Sequence, residues 1–258
     1  MKSLIKKLLK SNIGILIRNS LNIKPINIKT NEENYSTTVS DAFLWRTDQG
    51  YKTKFKYSDI LDLFYKIDDS WVEFHFYNKN NKLIKTEKIV SLNLSNEFEI
   101  TSAYLNGIED YGIFYIYHYS KNTKFLDNTD IISNRCYLGY SQNNSLHSFV
   151  HGNILAKSAA INSKEKISTD IVKTSLFKNQ TYTIQKNFDD FDNNEFFFIN
   201  PTSKIIKFSI ENKKFKLKPH CAILIESKCS IISIKSNCLF IRPTIFSYKG
   251  QYMDVHHS

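Results

Sequence analysis

Apolar residues recur in two different rhythms along this chain. In "MKSLIKKLLKSNIGILIRNSL" they fall at Leu4, Ile5, Leu8, Leu9, Ile15 and Leu16. These share one arc when successive residues are set about 100° apart, the step of an α-helix. Lys6, Lys7, Lys10 and Arg18 fall on the opposite arc. The pattern predicts an amphipathic helix, and "NIKPINIKT" ends it at Pro25. From about residue 36 the period drops to two, the alternation of a β-strand with one face buried.

"WVEFHFYNKNNKLIKTEKIV" shows the second rhythm most clearly. Val72, Phe74 and Phe76 alternate with Glu73, His75 and Tyr77, then "NKNN" supplies turn residues before "KLIKTEKIV". This predicts a hairpin. "YGIFYIYHYS" is apolar or aromatic on both sides, as a central strand covered on both faces should be. Toward the C-terminus "NEFFFIN", "KIIKFSI", "KKFKLKP", "CAILIES", "SIISIKS" and "NCLFIRP" follow at short intervals, and "NPTSKIIKFSIENKKFKLKPHCAILIE" reads as two hairpins. The stretch "GNILAKSAAINSKEKISTDIVKTSLFKNQ" is more polar and reads as long loops or a short helix. The expected fold is all-β: two antiparallel β-sandwich-like domains preceded by the N-terminal helix. The helix and linker take residues 1–30. "SKNTKFLDNTD" separates a domain over 31–125 from one over 126–258.

Composition narrows the function. With 7 glycines and 4 prolines in 258 residues, neither GxGxxG nor GxxxxGK[ST] is present, which argues against a nucleotide-binding enzyme built on a phosphate loop. The net charge of +10 is unevenly spread. Lys2, Lys6, Lys7, Lys10, Arg18, Lys24 and Lys29 stand in the first 30 residues with no acidic residue, so the rest carries only +3. A body so nearly neutral has little long-range attraction for polyphosphate, and no nucleic-acid partner is expected. The leading segment instead suits an anionic membrane surface through residues 1–24, lying in the interface because it is too short in apolar run to span. Its apolar stripe can equally pack on the body or on a second copy in a homo-oligomer. Cys136, Cys221, Cys229 and Cys238 have no zinc-ribbon or CxxC spacing and are expected to be reduced, which suits the cytoplasm.

Three groups of residues are candidates for chemistry. "LHSFVHGN" sets His147 and His151 four apart, and "DVHHS" sets Asp254 two before His256. Two imidazoles with a carboxylate would bind a divalent metal, Zn or Fe, leaving positions open for water, and would make a metal-dependent hydrolase or lyase. Ser145 and Ser148 lie near His147, but no GxSxG is present, so a serine hydrolase is not favoured. Asp190, Asp192 and Asn194 have the two-residue spacing that opens a calcium loop, but the glycine and distal glutamate of such a loop are missing, and the segment reads as a polar turn. Lastly, "FLWRTDQGYKTKF" gathers Trp45, Arg46, Asp48 and Tyr51. An aromatic face beside hydrogen-bonding groups is the material of a sugar-binding surface.

The segments "SDAFLWRTDQGYKTKF", "CYLGYSQNNSLHSFVHGN" and "GQYMDVHHS" make residues 36 to 258 resemble uncharacterised β-rich proteins that accompany bacterial surface-polysaccharide genes. The resemblance implies a glycan context and transfers no catalytic residue. The expectation is therefore a cytoplasmic binding or accessory protein, peripheral on the inner membrane face, that handles a cell-surface glycan or its precursor. A metal-dependent enzyme and a structural or oligomerisation protein are the alternatives.

Overall fold

The computed structural model describes residues 37–257 apart from 123–130, 135, 144, 153, 163–164, 173, 175–178, 186–189, 211–212, 228–230 and 239–240, together with residues 11, 13 and 17. Ile13 and Ile17 are helical and exposed. Ser11 is a bend, and the other residues of the expected N-terminal helix lie outside the described residues.

The body is all-β. Among the described residues twenty strands form five four-stranded sheets, a propeller-like set in place of the two sandwiches the sequence led us to expect. One sheet is ordered β2 (Phe43–Arg46), β7 (Tyr111–Tyr119), β4 (Trp71–Asn78), β5 (Leu83–Ile89), and a second is β10 (Ser148–His151), β9 (Tyr137–Gln142), β3 (Tyr51–Ser58), β6 (Ser95–Ile100). A third is β12 (Glu165–Asp170), β11 (Leu155–Asn162), β1 (Thr37–Asp41), β8 (Ile131–Asn134). The last two are β13 (Gln180–Gln185), β18 (Ile231–Ser236), β15 (Ile206–Ile210), β16 (Lys213–Leu217), and β17 (Ala222–Glu226), β14 (Asn193–Ile199), β19 (Thr244–Lys249), β20 (Tyr252–His257). Among the described residues the pairs are antiparallel except β1 with β8.

Several sequence expectations are met locally. The hairpin of β4 and β5 forms, with Val72, Phe74 and Phe76 fully buried. Strand β7 lies between β2 and β4, and Ile113 to Tyr117 are buried on both sides. Other expectations change. β15 and β16 make the first of the two expected hairpins, but β17 pairs with β14 rather than with β16. "NCLFIRP" yields only an isolated bridge from Cys238 to Thr174. The strand starts after Pro243, which has no N–H to give a ladder. The polar stretch after residue 152 is the β11–β12 hairpin, with no helix among its described residues.

A helix that the sequence pattern did not announce, α1 (Ile60–Tyr65), follows β3. Asp59 caps it by accepting from the backbone N–H of Leu61 and Asp62, both at 3.2 Å, and Lys66 closes it in the left-handed region at φ 57°. Such a cap is worth about 1 kcal/mol, and it stabilises a helix too short to persist alone. Among the described residues no helix is long and apolar enough to cross a membrane.

Pairing crosses residue 125. β1 bonds to β8 and β11, and β3 to β9. The larger core mixes rings from facing sheets, with Phe55 packed edge-on to Phe114 at 4.8 Å and to Phe74 at 5.9 Å. It also takes in Phe197, Ile199, Phe246 and Val255 from the fifth sheet. The opposite face of that sheet sends Phe196, Phe198 and Ile245 into a second core. β14 is therefore apolar at consecutive positions because both its faces are covered.

A candidate site: a surface groove above a buried arginine

β2 ends at Arg46, a 3-10 turn covers Asp48–Gly50, and β3 starts at Tyr51. This tight reversal gathers Trp45, Arg46, Asp48 and Tyr51, and it carries most of them inward. Trp45 and Arg46 are fully buried and Tyr51 nearly so. The Trp45 indole donates to the Tyr77 carbonyl at 2.9 Å. Gly112 is required beside it, since an added Cβ would meet the Tyr77 carbonyl at 2.1 Å and the Trp45 ring at 2.7 Å.

Arg46 uses all of its guanidinium donors. Nε donates to Asp48 Oδ1 at 2.8 Å and Nη2 to Asp48 Oδ2 at 3.3 Å. Nη1 donates to Glu195 Oε2 and to the Tyr248 hydroxyl at 3.0 Å, and Nη2 to Glu195 Oε1 at 3.4 Å. The guanidinium carbon lies 3.8 Å from the Tyr51 ring centre, a cation–π contact. Burial works against the charge, but the hydrogen bonds to Asp48 and Glu195 outweigh it and the pKa of Arg46 is raised. Tyr248 donates onward to Glu195 Oε2 at 2.6 Å, and the Tyr51 and Tyr248 hydroxyls are 2.6 Å apart. Burial above all raises the pKa of both phenols, although Arg46 pulls the other way.

A groove of about 640 Å³ lies above this cluster, between Ser145 and Leu146 on one wall and Lys249 to Met253 on the other. Met253 links the two levels, its sulfur 3.5 Å from the Tyr51 hydroxyl. One wall is a two-residue hairpin turn with Gly250 at φ +56° followed by Gln251, where a type II′ turn needs glycine in the first central place. Asp192 braces the turn by accepting from Gly250 N at 2.7 Å. The other wall is docked on the 3-10 turn, through Gln142 Nε2 to the Gln49 carbonyl at 3.0 Å and Asn143 N to the Gly50 carbonyl at 3.2 Å. Leu146 and Tyr252 stand out at 94% and 83% exposed.

The histidines do not gather as the spacing suggested. His147 Nε2 meets Ser141 Oγ at 3.2 Å and lies 3.7 Å from Glu99. Burial, aided by Lys54, Lys52 and Lys56 and opposed by Glu99, holds its pKa below the usual value. His256 Nε2 meets Ser247 Oγ at 3.1 Å, and Asp254 stands opposite Ser247 in the β19–β20 ladder. His151 meets His257 instead, with Nε2 atoms 3.0 Å apart. Strand alternation along β20 explains the exchange, because His257 shares the side of buried Val255 while Asp254 and His256 take the other. Among the described residues no three of His, Cys, Asp and Glu lie close enough to hold a metal together. Asp192 serves the turn and Asn194 is buried in β14. Cys136, Cys221 and Cys238 are buried thiols outside any disulfide, and Cys229 lies outside the described residues.

Glu195, Tyr248, Tyr252 and His257 were not singled out by the sequence pattern. Glu195 carried a signal, a carboxylate leading the apolar run "EFFFI", since a charge folded into such a strand needs a cation. No protein-family model matches this chain, and no curated protein matches it.

Proposed function

We propose that this is a binding or accessory protein whose ligand, a cell-surface glycan or its precursor, lies in the groove between residues 145–146 and 249–253. The observation that carries the reading is Tyr252, an aromatic ring kept 83% exposed on a braced turn beside a groove of about 640 Å³. Holding such a ring in water has no benefit to the core. A flat apolar face of this kind suits the C–H face of a pyranose. Gln251 and Lys249 beside it offer an amide to sugar hydroxyls and an ammonium to the phosphate of a nucleotide- or lipid-linked precursor. The braced walls reduce the ordering cost of binding. Trp45, Arg46, Asp48 and Tyr51 then act from below rather than touching the sugar, with Tyr51 against Met253. The basic segment over residues 1–24 would hold the protein beside an anionic membrane, where lipid-linked precursors reside.

The test is titration with an oligosaccharide array and with nucleotide- and lipid-linked sugar precursors. Tyr252→Ala should weaken the best ligand about tenfold, the effect of about 1.4 kcal/mol. Absence of binding to every sugar tested, or unchanged binding by Tyr252→Ala, rejects this reading.

A further inference from the structure

β10 ends beside β20, where Val255 N donates to Ser148 Oγ at 2.9 Å. That crossing sets His151 against His257, with ring centres 4.3 Å apart and Nε2 atoms 3.0 Å apart. His151 Nδ1 lies 2.8 Å from the Gly152 carbonyl oxygen. A carbonyl oxygen only accepts, so Nδ1 carries the proton and the lone pair of the neutral ring is on Nε2. This is the arrangement that prepares an imidazole for a metal: one ring N–H fixed on a backbone carbonyl, the other nitrogen presented to the ion.

We propose that His151 and His257 form a binding site for a divalent transition-metal ion, each giving Nε2, with water in the remaining positions. Two nitrogens about 2.05 Å from one ion and 3.0 Å from each other subtend about 94° at it. That is close to the right angle between neighbouring corners of a tetragonal shell, so Cu²⁺ should bind ahead of Ni²⁺ and Zn²⁺. A small ring rotation replaces the His257-to-His151 hydrogen bond by two metal bonds, and the proton of His257 Nε2 moves to its Nδ1. The ligand set differs from the one spacing suggested, because His147 and His256 are engaged by Ser141 and Ser247. The site stands at the far end of β20 from Tyr252, roughly 17 Å away at about 3.3 Å per residue, and is independent of the groove.

Full-length protein without an affinity tag is titrated with Cu²⁺ and followed by calorimetry and by electron paramagnetic resonance. One ion per chain should bind, with hyperfine structure from two imidazole nitrogens. His151→Ala and His257→Ala should each weaken binding at least tenfold and leave one coordinated imidazole. His256→Ala should stay within twofold of the parent, which separates this site from a terminal histidine run catching the ion alone. No stoichiometric uptake, or uptake that His151→Ala leaves unchanged, overturns the proposal.

Discussion

Replacing Arg46 by methionine keeps most of the side-chain stem and removes the guanidinium fork. Five hydrogen bonds disappear, and the Glu195 carboxylate, only 10% exposed, loses its cation. Breaking a buried pair from one side costs about 3 to 5 kcal/mol, because the remaining charge stays desolvated without compensation. For a chain of this length each kcal/mol lowers Tm by about 2–4 °C, so Arg46→Met should melt roughly 6–20 °C lower. Urea unfolding followed by tryptophan fluorescence reads the change directly, since Trp45 is adjacent and fully buried. The reasoning makes a second demand. If the stranded carboxylate is the source of the loss, adding Glu195→Gln to Arg46→Met should recover at least about 1 kcal/mol relative to the sum of the single variants. A loss below about 1 kcal/mol, or strict additivity of the two substitutions, would refute the account of Arg46 as the tie between the β2–β3 reversal and β14.

Other outcomes follow from the same structure. His118 is fully enclosed and burial pushes its pKa down to about 3. The unfolded chain takes up a proton below about pH 6.5 and the folded chain does not until about 3, so stability falls as pH drops through that window. At pH 5 this amounts to about 2 kcal/mol, and urea unfolding of His118→Gln should lack that part of the slope. Gly112→Ala forces a Cβ against a backbone carbonyl and the Trp45 ring and should cost about 3 kcal/mol, with altered near-ultraviolet circular dichroism. The nearest atoms to a Cβ at Gly139 belong to the Phe149 side chain, which is 44% exposed and can yield where a backbone carbonyl cannot, so thermal melting of Gly139→Ala should show a clearly smaller loss.

The β character of the chain was legible wherever one face of a strand meets solvent and the other the core, as at Val72, Phe74 and Phe76. Sheet membership was not. β14 is apolar at every position from Phe196 to Ile199 because two cores claim it, and a continuous run says nothing of which strands lie beside it. β17 shows the same limit, since its neighbour in sequence is β16 and its partner in space is β14. The site divides similarly. "WRTDQGY" displayed aromatic and charged groups together, but a sugar-binding surface and a buried ion cluster draw on the same inventory. The deciding residue, Glu195, is 149 positions away. For the histidines, spacing gave the parity of each strand and not the crossing of β10 with β20, which selected His257.

One feature of the third sheet bears on how the protein is made. β1 leaves the ribosome long before its two neighbours, which begin at Ile131 and Leu155. A nascent chain halted before those residues holds an unsatisfied strand with Val39 bare, a template for pairing with another chain. Synthesis speed and holdase chaperones should therefore govern yield more strongly than the stability of the finished protein, and slower translation upstream of residue 131 should increase aggregation.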